Sequence, residues 1–272
     1  MKSNEFPPDW NEQRVREVLD LYENQTDEEA AVEHEAALSG PHQPRRPLHW
    51  EYLGRVPYAD AVELQLAAQR ALKAGAGPER LFLLEHPHVY TLGRNAGGED
   101  VLASAEWLQA RGIEVAESDR GGQVTYHGPG QLVGYPIINL SPDRRDVRRY
   151  VRDLQEVLIR TLADYGIAAE GREGPSFIGV WAGEQKIASI GVHLSRWITT
   201  HGFALNVATD LSYFSGIIPC GLHQVSMASI ERLAGRAPAL PEIAAVCARH
   251  FAAVFARELV AAAEPAAAGR EA

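Results

Sequence analysis

Cysteine and lysine are scarce in this 272-residue chain, and no apolar run approaches the ~18 residues of a membrane-spanning helix. No membrane association is therefore expected. The two cysteines, Cys220 and Cys247, have no CxxC spacing and no nearby His-x-His partner, which argues against a structural metal site. Both read as free thiols of a reducing compartment. Met1-Lys2-Ser3-Asn4-Glu5 lacks an apolar signal segment, so a cytoplasmic location is the expectation. Net charge is −10, which argues against a general nucleic-acid binder but allows a local basic patch for an acidic partner. Only Lys2, Lys73 and Lys186 stand against 23 arginines. Where arginine supplies the positive charge, an inward lysine offers a cation that can lose its proton.

Hydrophobic residues make up 46% of the chain, enough for a substantial core. The densest chemical text runs from Arg120 to Leu140, where Gly121, Gly122, Gly128, Gly130 and Gly134 punctuate a run that turns apolar after Gln131. Such glycines let a backbone approach a ligand closely or take φ > 0, so the stretch reads as a cradle feeding a strand. An ordinary tight loop with a bulge fits the glycines equally well. Further on come Gly179–Gly191, containing Lys186, then His201-Gly202-Phe203-Ala204-Leu205-Asn206-Val207, then Ile218-Pro219-Cys220-Gly221-Leu222. One lysine and one cysteine are set among glycines.

Together with Glu85-His86-Pro87-His88-Val89-Tyr90-Thr91-Leu92-Gly93, these motifs resemble, in order, those of the lipoate-pathway octanoyltransferases, over roughly Trp50 to Leu233. The resemblance implies the biotin and lipoate protein ligase catalytic-domain fold. It also implies transfer of an octanoyl group from octanoyl-acyl carrier protein to a lysine of lipoyl domains, the first step of endogenous protein lipoylation. The acceptors would be E2 subunits of 2-oxoacid dehydrogenases and the glycine cleavage H protein. No ATP and no metal would be needed, since the donor carries its own phosphopantetheine thioester. A monomer is expected.

The resemblance assigns catalysis to Cys220, as a nucleophile that becomes an acyl thioester, and to Lys186, which lowers the thiol pKa and acts as general acid and base. Acyl-substrate binding falls to Arg120, Gly121, Gly122, Gln123, Val124, Thr125, Tyr126 and His127, to Ser189, Ile190 and Gly191, and to Gly202, Phe203 and Ala204. The residues alone leave other readings open: Cys220 as buried filler, Lys186 as a charge guarding a hairpin edge, and His127 and Tyr135 as structural hydrogen-bonding groups. His86 and His88, beside a proline, read as structural in preference to metal-ligating. An ATP-dependent ligase would need a Gly-Arg-Gly-Arg type loop, which is missing; an acyl-binding module would tolerate loss of the thiol; a cysteine hydrolase lacks a local Cys/His/Asn signature.

Three segments are expected: an acidic extension (1–46), one catalytic domain (47–262) and an Ala-rich tail (263–272). Within the domain, helices and hairpins alternate, which predicts an α/β (α+β) architecture with mixed or antiparallel sheets and flanking helices. The spacing predicts strands at His49–Leu53, Leu81–Leu84, Ile113–Val115 and Thr199–Val207, and a hairpin of Phe177–Trp181 with Lys186–Val192. Helices are expected over Tyr58–Ala74, from about Asp143 to Tyr165, and from Pro241 to about Val260, the last burying Cys247. Arg145, Arg148, Arg149 and Arg152 fall on one outer face of the middle helix, either as a solvated face with pairs such as Arg152–Glu156 or as a dock for an acidic carrier protein.

Overall fold

The computed structural model describes residues 45–142, 144–172, 174, 177–218 and 225–261. Strand β1 (Arg46–Arg55) opens the fold, and Pro57 turns the chain into helix α1 (Tyr58–Lys73), stopped before Gly75 at φ +67°. Strand β2 (Glu79–Glu85) splits its side chains by alternation: Leu81 and Leu83 enter one core layer, Phe82 and Leu84 another. Next come β3 (Val89–Leu92), the short helix α2 (Ala105–Ala110), β4 (Glu114–Glu117), β5 (Val124–His127) and the fully buried β6 (Gln131–Ile137).

Helix α3 (Val147–Ala163) begins later than the periodicity suggests because the Asp146 side chain accepts the Arg149 N–H at 3.0 Å, an N-cap. Its Leu154, Leu158 and Leu162 are buried, whereas Val147 is 42% exposed. Strands β7 (Glu170–Arg172), β8 (Gly179–Ala182), β9 (Gln185–Ser195) and β10 (Ile198–Asn206) follow. The β9–β10 hairpin turns on Arg196 and Trp197, both at positive φ (52° and 65°), the backbone of a two-residue primed turn without its usual Asn-Gly. After β11 (Ser226–Met227) and α4 (Ile230–Ala234), helix α5 (Leu240–Phe255) buries Cys247, whose thiol is pushed up to about 12 by that burial.

The expectation that this last helix reaches Val260 is wrong. Ala256 takes φ +51°, and β12 (Arg257–Ala261) pairs in parallel with β1, Arg257 opposite Arg46 and Leu259 opposite Leu48. Pairing with an open strand edge outweighs the helical spacing of this stretch.

The main sheet runs β12-β1-β2-β6-β10-β9-β8-β7, with β11 beside β9; it is parallel among β12, β1 and β2 and antiparallel from β2 to β7. A smaller sheet holds β4-β3-β5. The fold is therefore the expected mixed α/β class. Helices α3 and α5 cover one face of the main sheet, α1 the other, and the small sheet carries a satellite core. Apart from Arg45 and Arg46, the expected extension 1–46 lies outside the described residues, as does the 263–272 tail.

Candidate active site

The loop between β4 and β5 is held main chain to main chain. Gly121 N–H donates to Val192 O of β9 at 3.0 Å, while Arg94 and Asn95 donate to Arg120 O and Gly122 O at 3.0 and 3.1 Å. A Cβ at Gly191 would meet Gly121 O at 2.9 Å and Arg120 Cδ at 3.0 Å. Glycine here permits strand β9 and the loop to touch.

Between this loop, β9, β10 and the start of α3 lies a cavity of about 440 Å³, in the range of ~300–1,000 Å³ usual for small-molecule sites. All the residues assigned to acyl binding reach its wall except Tyr126. Strand alternation turns Tyr126 to the face opposite Thr125 and His127, into the satellite core, where it stacks on Tyr213 with centroids 5.1 Å apart and bonds His88 Nδ1 at 2.8 Å. Its place in the sequence motif therefore reflects packing. Val133, Tyr58, Tyr135, Val147, Val151, Ile178 and His201 also line the cavity. Val147 and Val151 sit at core spacing in the sequence; only the late start of α3 shows them as cavity wall.

Lys186 is 1% exposed and lies on the cavity wall, its Nζ 5.8 Å from the Trp181 ring centroid. A Cβ at Gly179 would come within 2.6 Å of Lys186 Cε, so this glycine of the neighbouring strand β8 makes room for the aliphatic stem. Cys220 lies in the segment 219–224, outside the described residues.

A buried polar chain crosses the floor of the site. Arg120 Nη2 donates to Thr91 Oγ1 at 2.9 Å and to Thr91 O at 2.7 Å; Thr91 Oγ1 lies 3.4 Å from His127 Nε2; and His127 Nδ1 meets Gln131 Oε1 at 2.8 Å. Gln131 Nε2 donates to Asn206 Oδ1 at 2.9 Å, Asn206 Nδ2 to Ala228 O at 3.0 Å, and Ala228 N–H to Lys186 O at 2.9 Å. Because Gln131 presents its acceptor, His127 carries its proton on Nδ1. Burial holds the His127 pKa well below its ordinary value, so the ring is neutral. Gln131 and Asn206 thus tie the cradle to the backbone of Lys186. Single polar residues in β-strand text carry no signal for this, and sequence reasoning passed them over.

At the other end, His201 Nε2 bonds Asp119 Oδ1 at 2.6 Å, and that bond, against the cost of partial burial, holds the Asp119 carboxyl down to about 2. His86 is buried between Val56 O and Tyr135 OH, each 2.7 Å away, the structural role expected of it. Among the described residues no cluster of His, Cys, Asp or Glu is placed to hold a metal, and no helix is long and apolar enough to cross a membrane.

Residues 57–252 match the model of the lipoyl protein ligase A/B catalytic domain. The chain belongs to that family. Among curated members, it is 54% identical over 208 residues to an octanoyltransferase of Solibacter usitatus, covering 76% of this chain and 93% of that one. It is also 54% identical over 185 residues to the octanoyltransferase of Rubrobacter xylanophilus, covering 67% and 82%. The lipoyl protein ligase fold is seen directly in a putative lipoate protein ligase from T. acidophilum, which superposes with a TM-score of 0.64 at 18% identity over 79% of this chain and 87% of the other.

Proposed function

We propose that this protein transfers an octanoyl group from octanoyl-acyl carrier protein to the ε-amino group of a lysine on lipoyl domains, a reading supported by its family and by relatives named octanoyltransferases. The observation that carries the mechanism is a buried lysine, Lys186, set in the wall of a glycine-lined, largely apolar cavity.

In the proposed cycle the Cys220 thiolate attacks the octanoyl thioester of the carrier's phosphopantetheine arm. The new Cys220 thioester forms as the carrier thiolate leaves and takes the proton of Lys186, which is left neutral; the exchange changes bond energy little and needs neither ATP nor metal. A thiol of ordinary pKa about 8.5 is mostly protonated at neutral pH, so a cation beside it raises the thiolate fraction. Lys186 supplies that cation. The acceptor amine, deprotonated, then attacks the acyl-enzyme; Lys186 takes a proton from the adduct and returns one to the leaving Cys220 sulfur. The amide is resonance-stabilised and the thioester is not, which draws the second step forward.

The cavity binds the tail. About seven methylene or methyl groups at roughly 0.8 kcal/mol each give about 5 kcal/mol of apolar burial. Backbone N–H groups of the cradle are the natural donors to the acyl oxygen. Neutral His127, locked by Gln131 and Thr91, shapes the floor without offering charge to the tail. The acidic carrier protein and lipoyl domains are the partners, met in the cytoplasm.

Intact-mass spectrometry after mixing with octanoyl-carrier protein, without ATP, tests this reading. One added octanoyl group is expected on the wild type, absent in Cys220→Ser and reduced more than tenfold in rate by Lys186→Ala. Octanoyl transfer at the wild-type rate by Cys220→Ser would overturn the acyl-enzyme.

A further inference from the structure

Lys186 stands where the main sheet changes partners. Along one flank of β9, strand β10 pairs from Ile198 opposite Ser195 to Leu205 opposite Ala188, and there it leaves. Strand β11 takes its place, with Ser226 opposite Gln185 and Met227 opposite Lys186. On the other flank the register of β8 slips at the same point: Val180 lies opposite Ala188 and Trp181 opposite Lys186, with Ile187 extra. A bulge of this kind interrupts the ladder and re-aims the side chains beside it. The backbone of Lys186 is therefore held from the β11 side. Yet β11 is only two residues long, too short to be secured by ladder bonds alone.

Asn206 occupies this fork. It is the last residue of β10, it is 1% exposed, and it does not line the acyl cavity. Its Nδ2 donates to Ala228 O at 3.0 Å, and the N–H of the same Ala228 donates to Lys186 O at 2.9 Å. The amide is oriented from behind. Gln131, its partner across β6, donates Nε2 to Asn206 Oδ1 at 2.9 Å and to Tyr126 O at 3.1 Å, while its Oε1 accepts from His127 Nδ1. A bond from Gln185 Nε2 to Ser226 Oγ, at 2.9 Å, also ties β11 to β9, but it is exposed and competes with water. Among the described residues, the buried side-chain tie across the fork is the one through Asn206.

An ammonium stabilises a thiolate only at short range, because the attraction falls with distance and water between the charges weakens it further. A freed β11 would let Lys186 drift while the glycine cradle, fastened to β9 farther along at Val192, stayed in place. Strand β11 is also the first described strand after Cys220 in the chain.

We infer that Asn206 is the positioning residue of Lys186: its amide locks β11 onto β9 at the fork and so fixes where the ammonium meets the reacting sulfur. The inference rests on the proposed pairing of Cys220 with Lys186 and adds the residue that sets its geometry.

The test reads the Cys220 thiol directly. Alkylation by iodoacetamide is followed by intact mass from about pH 6 to 9, alongside single-turnover octanoylation from the carrier donor. The proteins are wild type, Lys186→Ala, Asn206→Leu and the double variant. Asn206→Leu keeps the forked shape and removes both bonds; Asn206→Ser, which adds no volume, takes its place should the leucine variant fail to fold. Cys247 is buried, its thiol pushed up to about 12, and stays silent. Of the other titratable groups on the cavity wall, burial keeps His127 neutral and Tyr58 and Tyr135 protonated. Arg120 stays charged, and His201 with its Asp119 partner is common to every variant. On α4, beyond β11, Glu231 and Arg232 are exposed.

Asn206→Leu is expected to raise the alkylation pKa by about one unit, toward that of Lys186→Ala, and to slow octanoylation about tenfold. The half-saturating carrier concentration should stay within about twofold of wild type, since Asn206 does not line the cavity. In the Lys186→Ala background the same substitution should change neither quantity by more than about twofold, because a residue acting through Lys186 has nothing left to act on. Unchanged pKa and rate in the folded Asn206 variants, beside a Lys186→Ala that alters both, would overturn the positioning role and leave the Cys220–Lys186 pair standing. An equal further loss in the Lys186→Ala background would overturn it too, as general scaffolding. A Lys186→Ala that itself alters neither would overturn the pair, and the positioning role with it.

Discussion

His86 has two hydrogen-bond partners and no room for a charge. Its ring lies fully buried between Val56 O and Tyr135 OH, and desolvation lowers its pKa from 6.5 to about 4, outweighing the bond to Val56 O. A histidine whose folded pKa lies below its unfolded one favours the fold while neutral. The stability it brings is complete above pH 6.5 and is lost as pH falls through 4. At about 1.36 kcal/mol per pH unit, that gap is worth about 3 kcal/mol. His127, buried and also held low, acts in the same direction. Urea denaturation of the wild type is therefore expected to lose at least about 2 kcal/mol between pH 7 and pH 4.5. His86→Gln, with no proton to gain, should flatten that decline; an unaltered slope would rule out His86 as its source.

The element that joins site to surface is α3. Val147 and Val151 line the cavity, while Arg148, Arg149 and Arg152 of the same first turns are exposed. Of these, Arg149 approaches Asp153 at 4.0 Å, and no ion pair with Arg148 or Arg152 is present among the described residues. The expected Arg152–Glu156 pair is not formed: Glu156 pairs instead with Arg160, at 2.7 Å. Two cations beside the cavity are thus left facing solvent, a placement suited to steering an acidic carrier protein toward the mouth. Reversing Arg148, Arg149 and Arg152 to Glu should raise KM for carrier-bound octanoyl about tenfold and leave a small free thioester donor unaffected. Equal losses with both donors would remove the docking role.

At the scale of the whole molecule, one carboxylate ties the parallel part of the sheet together. Glu79 of β2 pairs with Arg257 of β12 at 2.6 Å and with Arg46 of β1 at 3.1 Å, and accepts the Asn139 N–H beyond β6 at 2.9 Å. Glu79 and Arg257 are both nearly inaccessible. Taking the carboxylate from such a buried pair leaves the guanidinium without its counter-charge and costs about 3–5 kcal/mol. Glu79→Ala should lower stability by that order in chemical denaturation, and a loss below about 1 kcal/mol would mean the clamp is redundant.

Local pattern by itself determined much of this molecule. Apolar runs marked β2 and the start of β6, helical spacing with Pro57 and Gly75 marked α1, and the glycine text at Arg120–Gly122, Gly191 and Gly202 marked where backbones meet. These are near-neighbour properties, written within a few residues. Tertiary structure alone decided the rest. Arg257–Ala261 is a strand because β1 offers an edge; Tyr126 leaves the site because its strand faces the satellite core; and Gln131 and Asn206, 75 positions apart, join the cradle to Lys186. A side chain's type is a local fact, but what it touches depends on which strands pair, and pairing is settled by the burial of the whole sheet.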